Sequence, residues 1–194
     1  MFNDRHGLTA AVLSGRKTQT RRNIPREFSK LHIDIRDSWF VARYKIGEVV
    51  SIAQAYKDIA TSDGTHGYYK IGERHYLQYE LSGAGWNNKM FVKADLMPHH
   101  IYITDVRVER LQDISDEDCL KEGIEWLPDG AGLKPYAFYD TTIHIKNDKE
   151  EGYGWYVDFD TPREAYASLI DRLNGKGTWA SNPIVWVYDF ELVD

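Results

Sequence analysis

The sequence predicts an α+β fold, a small β-barrel with a few flanking helices, and three observations carry that expectation. Strand signals recur between Gly47 and Leu111, rich in β-branched and aromatic residues and separated by Gly and Asn clusters. Capped helix signatures occur at only three short stretches. The chain then closes on an alternating segment, Pro183 to Leu192, that reads as a last strand completing the sheet.

Each element has a local reason. Leu8, Ala11 and Val12 recur at i, i+3 and i+4, and Gly15 follows as a left-handed cap, so a short helix is predicted there. Strands are predicted over Glu48 to Ala53, Tyr76 to Leu81, Met90 to Ala94 and Ile101 to Leu111. In the last of these, Ile101, Ile103 and Asp105 share one face and Tyr102, Thr104, Val106 and Val108 the other, and one of the two is expected to be buried. Ser115 caps a second helix with Asp116, Glu117 and Asp118 in its first turn, and Gly123 closes it. Thr161-Pro162-Arg163-Glu164 is a capping box that opens a third helix. Its stripe of Ala165, Leu169 and Leu173 faces the core, and Asn174-Gly175 ends it. Gly130 to Asp160, with Tyr136, Phe138, Tyr139, Tyr153, Trp155 and Tyr156, reads as an insertion in a single domain spanning 1–194, either a lid or a hairpin packed on the barrel.

A chain of 194 residues, 42% hydrophobic and 28% charged, suits one globular domain. No apolar run approaches the ~18 residues a membrane helix needs, and Met1 to His6 lacks a leader pattern, so a cytoplasmic protein with no membrane association is expected. Cys119 is the single cysteine, which excludes an internal disulfide and a thiolate metal cage; it reads as a small buried hydrophobe. The histidines at 6, 32, 66, 75, 99, 100 and 144 form no i, i+4 pair backed by an acid. No metal and no cofactor are expected, although His75 and His99 remain able to meet a carboxylate in space.

Charge is placed unevenly. From Arg16 to Arg26 the chain carries five cations and no acid, while the whole is −6, so the remainder sums to −11. A local cationic spot on an acidic protein suits recognition of one anion or electron-rich oxygen better than coating of a polyanion. The first helix ends just before this run, and its partial negative charge favours Arg16 and Lys17 but does not account for Thr18, Thr20, Arg21 or Arg22. Lys17 and Thr20 are three residues apart, a spacing that lets side chains meet in a turn or helical segment. An amine beside a hydroxyl activates it as a nucleophile when the amine is neutral, and burial or neighbouring arginines move the lysine that way. Glu122 stands in the last turn of the Ser115 helix, where the macrodipole disfavours a carboxylate; on its own that mismatch reads either as a solvent-facing Glu paired with Lys121 or a nearby group, or as a pointer to function.

Gly15-Arg16-Lys17-Thr18-x-Thr20-x-Arg22 resembles the signature of the activating-signal-cointegrator homology (ASCH) domains of the PUA-like superfamily. Val106-Arg107-Val108-Glu109-Arg110-Leu111-Gln112-Asp113-Ile114-Ser115, then Glu122-Gly123-Ile124, then Trp179-x-x-Asn182-Pro183-x-Val185-Trp186 follow in the order of the bacterial and phage members. Ser51 to Tyr56 departs from the pattern, where a strand bearing Arg-Glu is expected. The resemblance implies a PUA-like barrel related to the small bacterial acetylcytidine amidohydrolases, metal-independent hydrolases of an acylated nucleoside. Position by position, it implies that Lys17, Thr20 and Glu122 are catalytic and that Arg16, Arg21 and Arg22 bind substrate. The alternative it allows is a module for RNA or single-stranded nucleic acid without catalysis. There Arg16, Arg21, Arg22 and Arg26 would contact phosphates while Tyr68, Tyr69 or Trp86 stack on bases. A third is a phage or prophage accessory protein that senses a modified nucleotide.

Overall fold

The computed structural model describes residues 2, 4–25, 42–64, 67–81, 83–128, 132–147 and 150–193. The fold is mixed α+β, with a curled antiparallel sheet and few helices. In chain order the helices are α1 (Leu8–Leu13), α2 (Tyr56–Ile59), α3 (Gln78–Leu81), α4 (Ala84–Asn87), α5 (Asp116–Lys121), α6 (Pro162–Asn174) and α7 (Thr178–Ser181). The strands are β1 (Gln19–Asn23), β2 (Val49–Ser51), β3 (Thr61–Ser62), β4 (Tyr68–Ile71), β5 (Arg74–Leu77), β6 (His100–Arg110), β7 (Glu125–Trp126), β8 (Tyr136–Asn147), β9 (Glu150–Phe159) and β10 (Ile184–Val193). No helix among the described residues is long and apolar enough to cross a membrane.

The chain groups into two compact units. The smaller comprises Met1–Phe2, Val49–Tyr102 and Leu192–Asp194, the larger Asn3–Glu48 and Ile103–Glu191. In the smaller unit, β2 pairs antiparallel with the start of β6, and β3, β4 and β5 form a separate antiparallel sheet. Its core is Tyr56, Ile71, Leu81, Leu96 and Met97, on which Tyr69 and Trp86 pack with their rings edge-on at 5.1 Å. His75 meets Asp63 there at 3.2 Å. One predicted strand is cut short in this unit and another is overturned. The Tyr76 to Leu81 run leaves strand at Leu77 because the Glu80 carboxylate accepts the Leu77 amide and so starts a helical turn, α3. Met90 to Ala94 falls instead on 3-10 turns, because the Asn88 side chain caps the Met90 amide.

In the larger unit, the ends of the helices stand where their caps predict. Ser115 accepts from the Asp118 amide, and Thr161 and Glu164 complete a reciprocal capping box with Pro162 at the first helical position. The buried stripe of α6, Ala165, Tyr166, Leu169 and Ile170, joins Leu8, Val12, Ile114 and Cys119 in the core. β1 pairs antiparallel with β10, which lies beside β6. Of the two faces of β6, the one holding Ile101 and Ile103 is buried at its start, while Thr104 to Glu109 are only half-buried. Residues 130–160 supply β8 and β9, a long antiparallel hairpin that pairs with β7.

One buried carboxylate ties this hairpin down. Asp140, wholly inaccessible, accepts from the Thr142 amide and hydroxyl at 2.9 and 2.7 Å and from Arg172 of α6 at 2.5 Å. Arg5 approaches at 3.5 Å and His6 at 3.8 Å. Burial opposes its charge, but the Thr142 donors, His6 and Arg172 outweigh burial and hold its pKa down at about 2, against 3.8 when unfolded. Its contribution is therefore complete above about pH 4 and is lost as pH falls through about 2. Asp140→Asn is expected to lose roughly 2 kcal/mol at pH 7, from the shift between 3.8 and about 2. The deficit relative to wild type should narrow between about pH 4 and pH 2, as read by urea denaturation across that range.

Candidate functional site

The segment between α1 and β1 is pinned at both ends. Gly15, at φ 72°, turns the chain out of α1, and the Lys17 amide returns to the Ala11 carbonyl at 2.9 Å. The Thr18 amide then donates to the Lys121 carbonyl at the end of α5, and the Thr18 carbonyl accepts from Phe190 of β10. Successive carbonyls of a strand point opposite ways, so the Gln19 carbonyl faces away from β10. Lys17 fills that position. Its Nζ donates to the Gln19 carbonyl at 2.7 Å, the Glu122 carbonyl at 2.6 Å and Glu122 Oε2 at 2.7 Å.

Lys17 is 2% exposed and Glu122 5%. Gly123 makes their approach possible: its φ of 106° disfavours any side chain, and an added Cβ would lie 3.1 Å from Leu8 Cδ2 and 3.6 Å from Lys17 Cδ. The odd placement of Glu122 is thereby explained. At the C-cap of α5 its carbonyl and its carboxylate both serve a buried ammonium, which outweighs a weak clash with the helix dipole. Burial lowers the Lys17 pKa by more than Glu122 raises it, and Arg22 and Arg21 push in the same direction as burial.

Arg21 shares that carboxylate. Its guanidinium, with no exposed surface, reaches Glu122 Oε1 at 3.3 Å, Glu109 at 3.1 Å, Asp118 at 3.2 Å and the Gln19 side chain. Arg107 continues the network to Glu109, Asp118 and Asp189, and Gln19 Nε2 donates to Asp189 at 2.6 Å. Arg21, assigned by resemblance to substrate, thus has four partners inside the protein. Arg16 is exposed at the rim and bridges Glu125 at 3.1 Å, while Tyr156 donates to the other oxygen of Glu125. Arg22 is exposed, and Arg26 lies outside the described residues.

The strand also separates Thr20 from Arg21. Lys17 and Thr20 do not share a turn or helix, because residues 19–23 are β1, whose alternation puts Gln19 and Arg21 on one face and Thr20 and Arg22 on the other. Thr20 is half-buried opposite Tyr188, and Arg22 is opposite Trp186. Lys17 caps the edge of this strand that faces away from β10, one residue from Thr20. Two residues beside these groups went unread in the sequence. Tyr166, on the core stripe of α6, carries a hydroxyl whose pKa is raised well above the usual value by burial and, after that, by Glu122, and that has no hydrogen-bond partner among the described residues. Tyr188 is the second, and the alternation of β10 was its only signal.

Cys119 is buried, and its thiol is pushed up to about 12 by burial, which suits packing rather than nucleophilic chemistry. Among the described residues no group of three or more His, Cys, Asp or Glu converges as a metal site. The block from Trp179 to Asn182 is structural here. The Trp179 ring lies edge-on to Tyr166 and under Arg163, and the Asn182 side chain accepts the Gln112 amide.

Comparison with protein-family models, with curated proteins and with solved structures returns no match.

A buried charge stripped of its partner costs about 3–5 kcal/mol, whereas replacing the pair by apolar groups is often neutral. Glu122→Leu is accordingly expected to destabilise the protein by about 3–5 kcal/mol, and Glu122→Leu combined with Lys17→Met to recover most of that loss. Urea denaturation of the two variants checks it; a single-variant loss under about 1 kcal/mol would contradict a paired buried ammonium.

Proposed function

We propose that the protein is a metal-independent amidohydrolase acting on an acylated cytosine nucleoside or a similar modified nucleobase, built on a PUA-like (ASCH) barrel. The observation that carries this reading is the buried Lys17, its pKa lowered, held 2.7 Å from Glu122 at the edge of the strand that bears Thr20. Those three residue types are the ones the ASCH resemblance assigns to catalysis, and 105 positions separate Lys17 from Glu122 in the chain.

In the proposed reaction Thr20 Oγ forms a bond to the acyl carbon while the carbonyl electron pair moves onto oxygen, and Lys17 takes the hydroxyl proton. The C–N bond then breaks. The amine leaves with that proton, Glu122 holds Lys17 in place throughout, and water hydrolyses the resulting threonine ester. Arg22 shares the face of Thr20, and its proposed contact is an oxygen of the base or ribose.

The nucleic-acid alternative draws less support. Lys17 and Arg21 are consumed internally and Arg16 is held by Glu125, which leaves little of the basic run for phosphates. Tyr69 and Trp86, offered as stacking platforms, pack on each other over a core.

Lys17→Arg separates the two readings, because arginine keeps the charge but does not serve as a base. Chromatography of acylated cytosine nucleosides is expected to show a loss of about 10²-fold or more in turnover for Lys17→Arg, in protein shown by its melting curve to be folded. Thr20→Ala is expected to be as damaging. Turnover by wild type should rise with pH as Lys17 loses its proton, through a pKa below the usual 10.5, and that limb should vanish in Lys17→Arg. No turnover on any nucleoside, together with RNA binding that Lys17→Arg leaves intact, would replace this reading with the nucleic-acid one.

A further inference from the structure

A buried lysine paired with a single buried carboxylate is a poor base. With the amine neutral, the carboxylate would be an uncompensated charge in the interior, and that cost keeps the proton on the amine. Glu122 escapes this position because its carboxylate is divided. Oε2 accepts from Lys17 Nζ at 2.7 Å, and Oε1 accepts from Arg21 at 3.3 Å. When Lys17 is neutral, Glu122 and Arg21 are still an ion pair.

Arg21 suits this role better than the contact with substrate that the resemblance implies. Its side chain has no exposed surface. Its Nη2 meets Glu109 at 3.1 Å and Asp118 at 3.2 Å, carboxylates shared with Arg107, so its position is set from within the fold. Burial opposes its charge, but Glu122, Tyr166 and Glu109 outweigh burial and raise its pKa, so it stays a cation whatever the state of Lys17. Around Lys17 itself, burial lowers the pKa, Glu122 raises it, and Arg22 and Arg21 act with burial. Cys119 of α5 and Tyr166 of α6 keep their protons, the thiol pushed up to about 12 and the phenol well above its usual value, both chiefly by burial.

We propose that Arg21 is a positioning residue for the base: by holding Glu122 Oε1 from inside the fold, it keeps that carboxylate paired while Lys17 is neutral and so lets Lys17 accept the Thr20 proton. The link to Thr20 rests on the amidohydrolase reading, whereas the effect on the Lys17 amine stands apart from it. In that step the hydroxyl proton moves to the lone pair of Nζ, and the new ammonium donates to Glu122 Oε2. Glu122 keeps its charge and Arg21 gives up no proton.

The test reads the amine directly, by NMR titration of protein labelled in its lysines, the Lys17 signal being the one absent from Lys17→Arg. Arg21→Gln, shown by its melting curve to be folded, is expected to move the Lys17 midpoint up by about 1 pH unit or more, because a cation is lost and Glu122 turns wholly to the amine. Asp118→Asn removes a carboxylate from the far side of Arg21 and is expected to move the midpoint down; it decides the matter if Arg21→Gln does not fold. A merely structural role lowers the melting temperature and leaves the midpoint in place. A midpoint unmoved, or moved the opposite way, in either folded variant overturns the inference. On N4-acetylcytidine, kcat of Arg21→Gln is expected to fall about 10-fold at pH 7 and to recover at higher pH, with KM little changed. A raised KM without recovery is the mark of a substrate contact and overturns the inference as well. Midpoints that shift as expected in a protein that hydrolyses no nucleoside support the role of Arg21 and remove only the amidohydrolase reading.

Discussion

A lysine ammonium cannot stay charged in a protein interior without acceptors, and that requirement organises the larger unit around Lys17. The three N–H bonds of its amine go to two backbone carbonyls and one carboxylate. Meeting them requires a helix that ends at Glu122, a glycine at 123 with positive φ and no side chain, and a strand whose Gln19 carbonyl turns away from its neighbour. None of these features is independent of the others. If Glu122 were moved by one residue along α5, its carboxylate would swing by about 100° around the helix and leave both Lys17 and Arg21 unpaired.

The uneven charge of the chain also has a local account. Within the basic run, Arg21 is surrounded by Glu109, Asp118 and Glu122, Lys17 meets Glu122 and Arg16 meets Glu125, while Arg107 extends the cluster to Asp189. Asp118 illustrates the balance: burial works against its charge, but Arg21, Lys121 and Arg107 lower its pKa all the same. Much of what looks from composition like a cationic patch for an external anion is answered from within. Arg22 shares the face of Thr20, on the side of β1 opposite Arg21.

Helix ends were the most legible part of the fold, because caps act within four residues and are written in adjacent side chains. Gly15, Ser115, the Thr161 box and Gly175 all stand at the ends the sequence indicates. The strand signals at Tyr76 to Leu81 and Met90 to Ala94 failed because Glu80 and Asn88 cap neighbouring amides, a short-range bond that overrides β propensity. For the site, the residue types at 17 and 122 drew attention, one through a family pattern and one through its conflict with a helix dipole. Their meeting depends on tertiary structure that spacing does not encode. The separation of Thr20 from Arg21 follows from plain alternation once residues 19–23 are seen as a strand rather than a turn.

The contact between Lys17 and Glu122 closes a loop of 105 residues, and within that loop lies nearly all of the smaller unit. The entropy of closing a flexible loop grows only with the logarithm of its length, about 0.6 kcal/mol for each doubling. Lengthening or shortening the chain between residues 49 and 102 thus weighs little against the equilibrium of the site. The burden falls on kinetics, because the ammonium and carboxylate must search across the whole intervening chain before either can leave water. Descent with large changes in that segment is compatible with an unchanged charged centre, so chains of quite different length can share the same buried pair.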